Sequence, residues 1–144
     1  MDPVQLFGRL HPLVLHFPIA LLLLAAAVEV LRCFRPDPRL GHLVVFLLAV
    51  AAAGALLTAA TGWVFAHESH PEPELRATLL WHRWLGVGTA ALALLAWLAA
   101  RRWAADPRPC FRRISRGVTW LTAALLVVTA HLGALLVWGA DYFS

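Results

Sequence analysis

Four long stretches of the chain carry no charged residue. They are Leu13–Val28, broken in character only by His16, then Leu43–Ala66, Trp84–Ala100 and Gly117–Ala140. Each extends to the roughly 20 residues that cross a bilayer as a helix. None alternates apolar with polar positions as a membrane strand does. The pattern predicts an all-α membrane protein, a bundle of four transmembrane helices forming a single domain over residues 1–144.

Proline marks the boundaries. His11-Pro12 opens the first helix, because a first turn tolerates the missing N–H. Pro18 leaves the carbonyl near Val14 without its usual partner. Either it distorts the first helix beside His16, or it lies in a late-starting first turn. Pro36-Asp37-Pro38 forms a tight turn, His70-Pro71-Glu72-Pro73-Glu74 a stiff acidic loop, and Asp106-Pro107-Arg108-Pro109 opens a second basic loop.

Composition agrees with the pattern. Of 144 residues, 61% are hydrophobic and only 14% charged, against about a quarter charged in an ordinary soluble domain. The first apolar run lacks a basic leader and a small-residue cleavage site, and it runs into Glu29, so it is expected to be a mature helix rather than a signal peptide. The net charge is +4, and all 12 basic residues are arginines. Nucleic acid is not the implied partner. The arginines flank the spans and report orientation. Nine of them follow the first and third spans, and only Arg9, Arg76 and Arg83 lie at the other end. This predicts a bacterial inner-membrane protein with the arginine-rich loops in the cytoplasm and both termini periplasmic. Cys33 and Cys110 then face a reducing compartment, where a structural disulfide is not expected. No C-x-x-C-H motif for covalent haem is present.

Thr58-Ala59-Ala60-Thr61-Gly62 in the second span resembles Thr129-Ala130-His131-Leu132-Gly133 in the fourth. Two tandem hairpins related by an axis along the membrane normal produce such a pattern. The odd helices correspond as well: His16 and His82 each lie near an outer end, and each helix ends in arginine. Chance similarity among alanine- and leucine-rich helices is the competing reading.

The histidines carry the candidate chemistry. An ionisable residue inside a span is a functional-site hypothesis by default, and imidazole is a usual haem ligand. At about 1.5 Å of rise per residue, His16 and His82 lie roughly 5–9 Å inside the outer end, and His131 roughly 15 Å. His11 approaches from the boundary. Ala20, Gly86, Thr89, Ala124 and Ala134 share the faces of these histidines and leave room for a flat macrocycle. A b-type haem explains the set. His16 and His131 are the favoured axial pair, with His82 and then His11 as substitutes. One haem is expected, and four histidines allow two. Arg83, and also Arg9 or Arg76, could pair with the propionates.

Other readings compete. His131 can act as interhelical glue, and His82 and His11 can reach interfacial water. His67 and His70 read as loop residues and His42 as interfacial. The same histidines could form a small zinc or copper site, but no H-E-x-x-H pair frames hydrolytic chemistry. Glu29 can pair with Arg32 three residues on. The tryptophans Trp63, Trp81, Trp84, Trp103 and Trp138 read as an interfacial belt.

Three segments resemble a bacterial membrane family known as domain of unknown function 2231. Gly8-Arg9-Leu10-His11-Pro12-Leu13-Val14-Leu15-His16-Phe17-Pro18-Ile19-Ala20 is similar to its opening signature. Trp81-His82-Arg83-Trp84-Leu85-Gly86 resembles its third-helix motif, and His131-Leu132-Gly133-Ala134-Leu135-Leu136-Val137-Trp138-Gly139 its closing motif, with Ala134 where a second glycine is common. The resemblance implies a four-helix membrane protein. Its relatives can be joined to c-type cytochrome or Rieske iron–sulfur domains, which implies a place in respiratory or photosynthetic electron transfer. His11, His16, His82 and His131 are the motif histidines.

The resulting expectation is an electron-transfer subunit rather than a stand-alone enzyme. It would bind haem b in the outer half of the bundle and meet a periplasmic cytochrome c or iron–sulfur protein, other membrane subunits and lipid. The alternative is a non-redox structural or assembly subunit. A transporter is less favoured, since no broken helix pair or deep carboxylate is evident.

Overall fold

A computed structural model describes residues 2–69 and 71–139. The first span is built from α1 (Pro3–Arg9), α2 (His11–Val14) and α3 (His16–Phe34), followed by α4 (Pro38–Glu68), α5 (Arg76–Ala105) and α6 (Pro109–Trp138). A single 3-10 turn, Pro73–Leu75, precedes α5. Pro38 and Pro109 each stand at the first position of their helix, and the Asp37 carboxylate caps α4 by accepting from the Arg39 N–H at 2.8 Å. Four helical stretches are long and apolar enough to cross a membrane: Pro3–Phe34, Pro38–Glu68, Pro73–Ala105 and Pro109–Trp138.

The helices extend further than their uncharged cores. Arg112, Arg113 and Arg116, expected in a loop, lie on the first turns of α6, and His67 closes α4 instead of lying in the outer loop. Charged residues at helix ends reach the interface without breaking the backbone pattern. His70 and residues 140–144 lie outside the described residues. Pro18 falls in the first turn of α3, which follows α2 after a one-residue break at Leu15, a residue that keeps right-handed helical angles.

Consecutive helices pack side by side, α3 on α4, α4 on α5 and α5 on α6, while α3 meets α6 to close the bundle. The core is largely alanine: Ala25, Ala51, Ala93 and Ala96 are fully buried, with Leu22 and Leu48 between them. Small side chains let membrane helices approach closely, where lipid offers no hydrophobic drive between them. Large side chains such as Leu13, Phe46, Leu95 and Val127 point outward, as a lipid-facing surface requires. Buried threonines satisfy their hydroxyls on their own helices: Thr119 and Thr122 donate to carbonyls four residues back.

One ionic knot sits inside the arginine-rich end. The Glu29 carboxylate is fully buried and accepts from Arg32, one turn on, and from Arg116 Nε at 3.0 Å. The expected Glu29–Arg32 pair is present, and Arg116 adds a tie from α3 to α6. The Arg32 guanidinium also lies 4.3 Å over the Trp103 ring. Trp103 therefore packs against protein rather than serving only as a lipid anchor. Cys33 and Cys110 are exposed free thiols.

Candidate functional site

Two histidines meet at the other end of the bundle. His11 opens α2 and His82 lies on α5, and their ring centroids are 6.4 Å apart with planes at 78°. Each ring is anchored on a neighbouring helix. His11 Nδ1 donates to the Thr58 carbonyl of α4 at 3.0 Å, and His82 Nδ1 to the Thr129 carbonyl of α6 at 2.9 Å. A carbonyl can only accept, so the proton of a neutral ring sits on Nδ1 and the lone pair on Nε2. Anchoring of this kind fixes tautomer and orientation in metal-ligating histidines.

The anchors depend on glycine. A β-carbon at position 62 would come within 2.7 Å of His11 Cε1, and one at position 133 within 2.9 Å of His82 Cε1. Both rings lie against bare backbone one turn beyond the threonine whose carbonyl they use. Thr58 is also drawn in through its neighbour: Thr61 Oγ1 lies 3.5 Å from His11 Nδ1 and donates to the Thr58 carbonyl at 3.1 Å. On the α5–α6 side, the Thr89 and Thr129 hydroxyls meet at 3.2 Å.

The two anchoring contacts are alike in sequence spacing. Each spans 47 residues. His82 follows His11 by 71 positions, and Thr129 follows Thr58, and Gly133 follows Gly62, by the same 71. The register that pairs the Thr58–Gly62 and Thr129–Gly133 segments therefore makes His11, not His16, the counterpart of His82. Thr58, Gly62, Thr129 and Gly133 were not singled out as site residues by the sequence, although that register pointed to them.

His16 and His131 are placed differently. Both are exposed. His16 Nδ1 donates to the Pro12 carbonyl of its own chain segment at 2.9 Å, the same local arrangement as His42 with Pro38 at 3.1 Å. The structure thus brings together two of the four motif histidines, His11 and His82, and sets the other two on the outer surface of the bundle.

Aromatic and basic groups surround the pair. Phe65 stacks on His11 with centroids 6.2 Å apart. Arg83, next to His82, lays its guanidinium 4.2 Å over Trp63, and Trp63 meets Trp84 edge-on at 5.5 Å. Arg83 Nε is buried without a hydrogen-bond partner. Phe65 also borders a cavity of about 280 Å³ lined by Gln5, Gly8, Arg9, Glu68 and Ser69. Arg83 is thus next in sequence to His82 and stacked on Trp63, while Arg9 lines the cavity that Phe65 borders. Among the described residues, no three His, Cys, Asp or Glu side chains gather where they could hold a metal ion. A zinc or copper centre made wholly from this chain is therefore not supported there, since structural zinc takes four protein ligands.

No curated protein and no solved structure shows significant similarity to the chain. The sequence pattern of one family, described as predicted membrane protein DUF2231, matches residues 9–142. Spanning nearly the whole chain and all four apolar helices, that match shows that the protein belongs to the DUF2231 family of predicted membrane proteins.

Proposed function

We propose that this protein is a membrane-embedded electron-transfer subunit that binds one b-type haem through His11 and His82. The carrying observation is the pair itself: two imidazoles from separate helices, 6.4 Å apart, each with Nδ1 committed to a main-chain carbonyl. His11 and His82 would hold the group, because each neutral ring keeps its Nε2 lone pair free while Nδ1 is hydrogen-bonded. The chain offers two ligands at this place, and a macrocycle provides the other four. That donor set fits haem better than a bare metal ion. The haem would supply one-electron chemistry, tuned by its axial ligands and their hydrogen bonds.

The protein's own residues have distinct tasks in this reading. The Thr58 and Thr129 carbonyls hold the two Nε2 lone pairs in place. Gly62 and Gly133 give the rings room against the helices. Arg83 and Arg9 offer charge-assisted bonds to propionates. We further propose two tandem hairpins in the register that pairs His11 with His82. The arginine distribution supports an inner-membrane location with the histidine end periplasmic. A periplasmic cytochrome or iron–sulfur protein is then the natural electron partner, beside other membrane subunits.

A second reading is a structural subunit in which the histidines are helix glue. The His11–Thr58 and His82–Thr129 bonds themselves favour it, because each ties one helix to the next. A reduced-minus-oxidised visible spectrum of protein purified from haem-replete cells separates the two. The haem reading predicts a b-type α-band, lost in His11→Ala and His82→Ala and retained in His16→Ala, His131→Ala and His42→Ala. A pure wild-type protein without Soret absorbance supports the structural reading instead.

A further inference from the structure

The arginine-rich end contains a second cavity that the histidine site does not use. It measures about 290 Å³ and lies between the α3–α4 turn, the end of α5 and the start of α6. Its polar lining is Arg32, Asp37, His42, Trp103, Arg112 and Arg116.

Charge at this place does not balance. Glu29 beneath the cavity faces two guanidinium groups, Arg32 and Arg116, and one carboxylate neutralises only one of them. Arg32 is buried, with its side chain 6% exposed, so its surplus charge is poorly hydrated. Arg112, one turn before Arg116 on the same face, adds a further positive charge and makes no ion pair among the described residues. The Asp37 carboxylate accepts from the Arg39 N–H and keeps its negative charge, so the three guanidinium groups of Arg32, Arg112 and Arg116 face two carboxylates, Asp37 and Glu29, and one positive charge is left over. His42 Nδ1 donates to the Pro38 carbonyl.

A neutral donor is also left over. Trp103 gives its face to Arg32, yet its indole N–H is buried without a partner. An unpaired buried N–H costs free energy unless something accepts from it. Three arginines around one space, with Trp103 in the same wall, call for a compact anion with several acceptor oxygens. Basic pockets between transmembrane helices receive phosphate-bearing headgroups for this reason.

We infer that this cavity binds a phosphate group, either the headgroup phosphate of an acidic phospholipid or a free phosphate ion, with Arg112, Arg116, Arg32 and the Trp103 N–H as donors. The inference stands apart from the histidine site and does not require haem.

Full-length protein in mild detergent can be titrated with dioleoyl-phosphatidylglycerol or dioleoyl-phosphatidylcholine and read by native mass spectrometry. Inorganic phosphate can be read in parallel by the thermal unfolding midpoint. Arg112→Gln removes an exposed, unpaired charge, and Trp103→Phe removes the N–H while keeping an aromatic face for Arg32, so each addresses binding apart from the Glu29 knot. Phosphatidylglycerol is expected to bind in preference to phosphatidylcholine, and each substitution to weaken it by about fivefold. Stabilisation by inorganic phosphate that Arg112→Gln abolishes, without a lipid preference, assigns the site to the free ion. Equal binding of the two lipids with no phosphate response overturns the inference. So does a phosphatidylglycerol preference that persists unchanged in both variants.

Discussion

At the scale of single residues, the two glycines at positions 62 and 133 are as informative as the histidines they face. Adding one methyl group at either place drives a β-carbon into an imidazole ring. Overpacking of this kind typically costs about 1–3 kcal/mol, and here the ring is the group that must move. Gly62→Ala is predicted to lower the thermal midpoint and to cut haem retention, as read by Soret absorbance per chain. Gly117→Ala, where a β-carbon meets nothing within 4 Å, should leave haem retention unchanged and hold or raise the midpoint, as alanine favours a helix interior. Equal behaviour of the two variants contradicts the close-approach role. The Asp106 carboxyl gives a pH test in the arginine-rich loop. A hydrogen bond from Arg108, helped by the charges of Arg108 and Arg102, holds its pKa below the ordinary carboxylate value. A depressed pKa contributes stability that is full above the ordinary carboxylate range and fades as pH falls through the folded-state value. Asp106 is partly exposed to solvent, so the effect is small. The difference in unfolding midpoint between wild type and Asp106→Asn should be present at neutral pH and vanish in acid. A difference that grows on acidification contradicts the assignment.

At the scale of elements, the Glu29 knot decides how the bundle closes. Its carboxylate is the ionic tie between α3 and α6. Removing one partner of a buried ion pair leaves an uncompensated charge and typically costs about 3–5 kcal/mol. Glu29→Ala is therefore predicted to destabilise strongly, whereas Glu29→Ala combined with Arg32→Met should recover part of the loss. Detergent-solubilised unfolding midpoints measure both, and a single variant as stable as wild type removes the knot from the account. The spans themselves were legible from the sequence, because Leu43–Ala66 and its counterparts are long, apolar and bounded by proline. The extent of α6 was not. Pro109–Arg116 reads as a basic loop by charge, yet helical geometry places Arg112 and Arg116 on one face, and charge alone does not reveal that periodicity. The His11–His82 pair was half legible. Depth singled out both residues, but depth carries no azimuth, and His16 and His131 turned out to lie on faces that their helices present outward. The threonine–glycine similarity carried a hint of direction, since the same 71-residue offset relates the two carbonyls that the rings reach.

At the scale of the whole molecule, the chain is polarised. One end holds the histidine pair with Trp63, Trp84 and Arg83, and the other holds the Glu29 knot and nine of the 12 arginines. In the proposed orientation Cys33 and Cys110 would face the cytoplasm. Both thiols are exposed, so they report topology directly. A membrane-impermeant maleimide is expected to label them in inverted vesicles and not in intact spheroplasts, and the reverse pattern would invert the proposed location of the histidine site. The account as a whole depends on the proposal that His11 and His82, whose ring planes stand at 78°, would together hold one haem. Electron paramagnetic resonance of the oxidised, haem-replete protein tests this most directly. The prediction is a strongly anisotropic low-spin ferric signal, as crossed imidazole planes give, that disappears in His11→Ala and in His82→Ala. A high-spin signal in the wild type, or a low-spin signal that survives both substitutions, would contradict it.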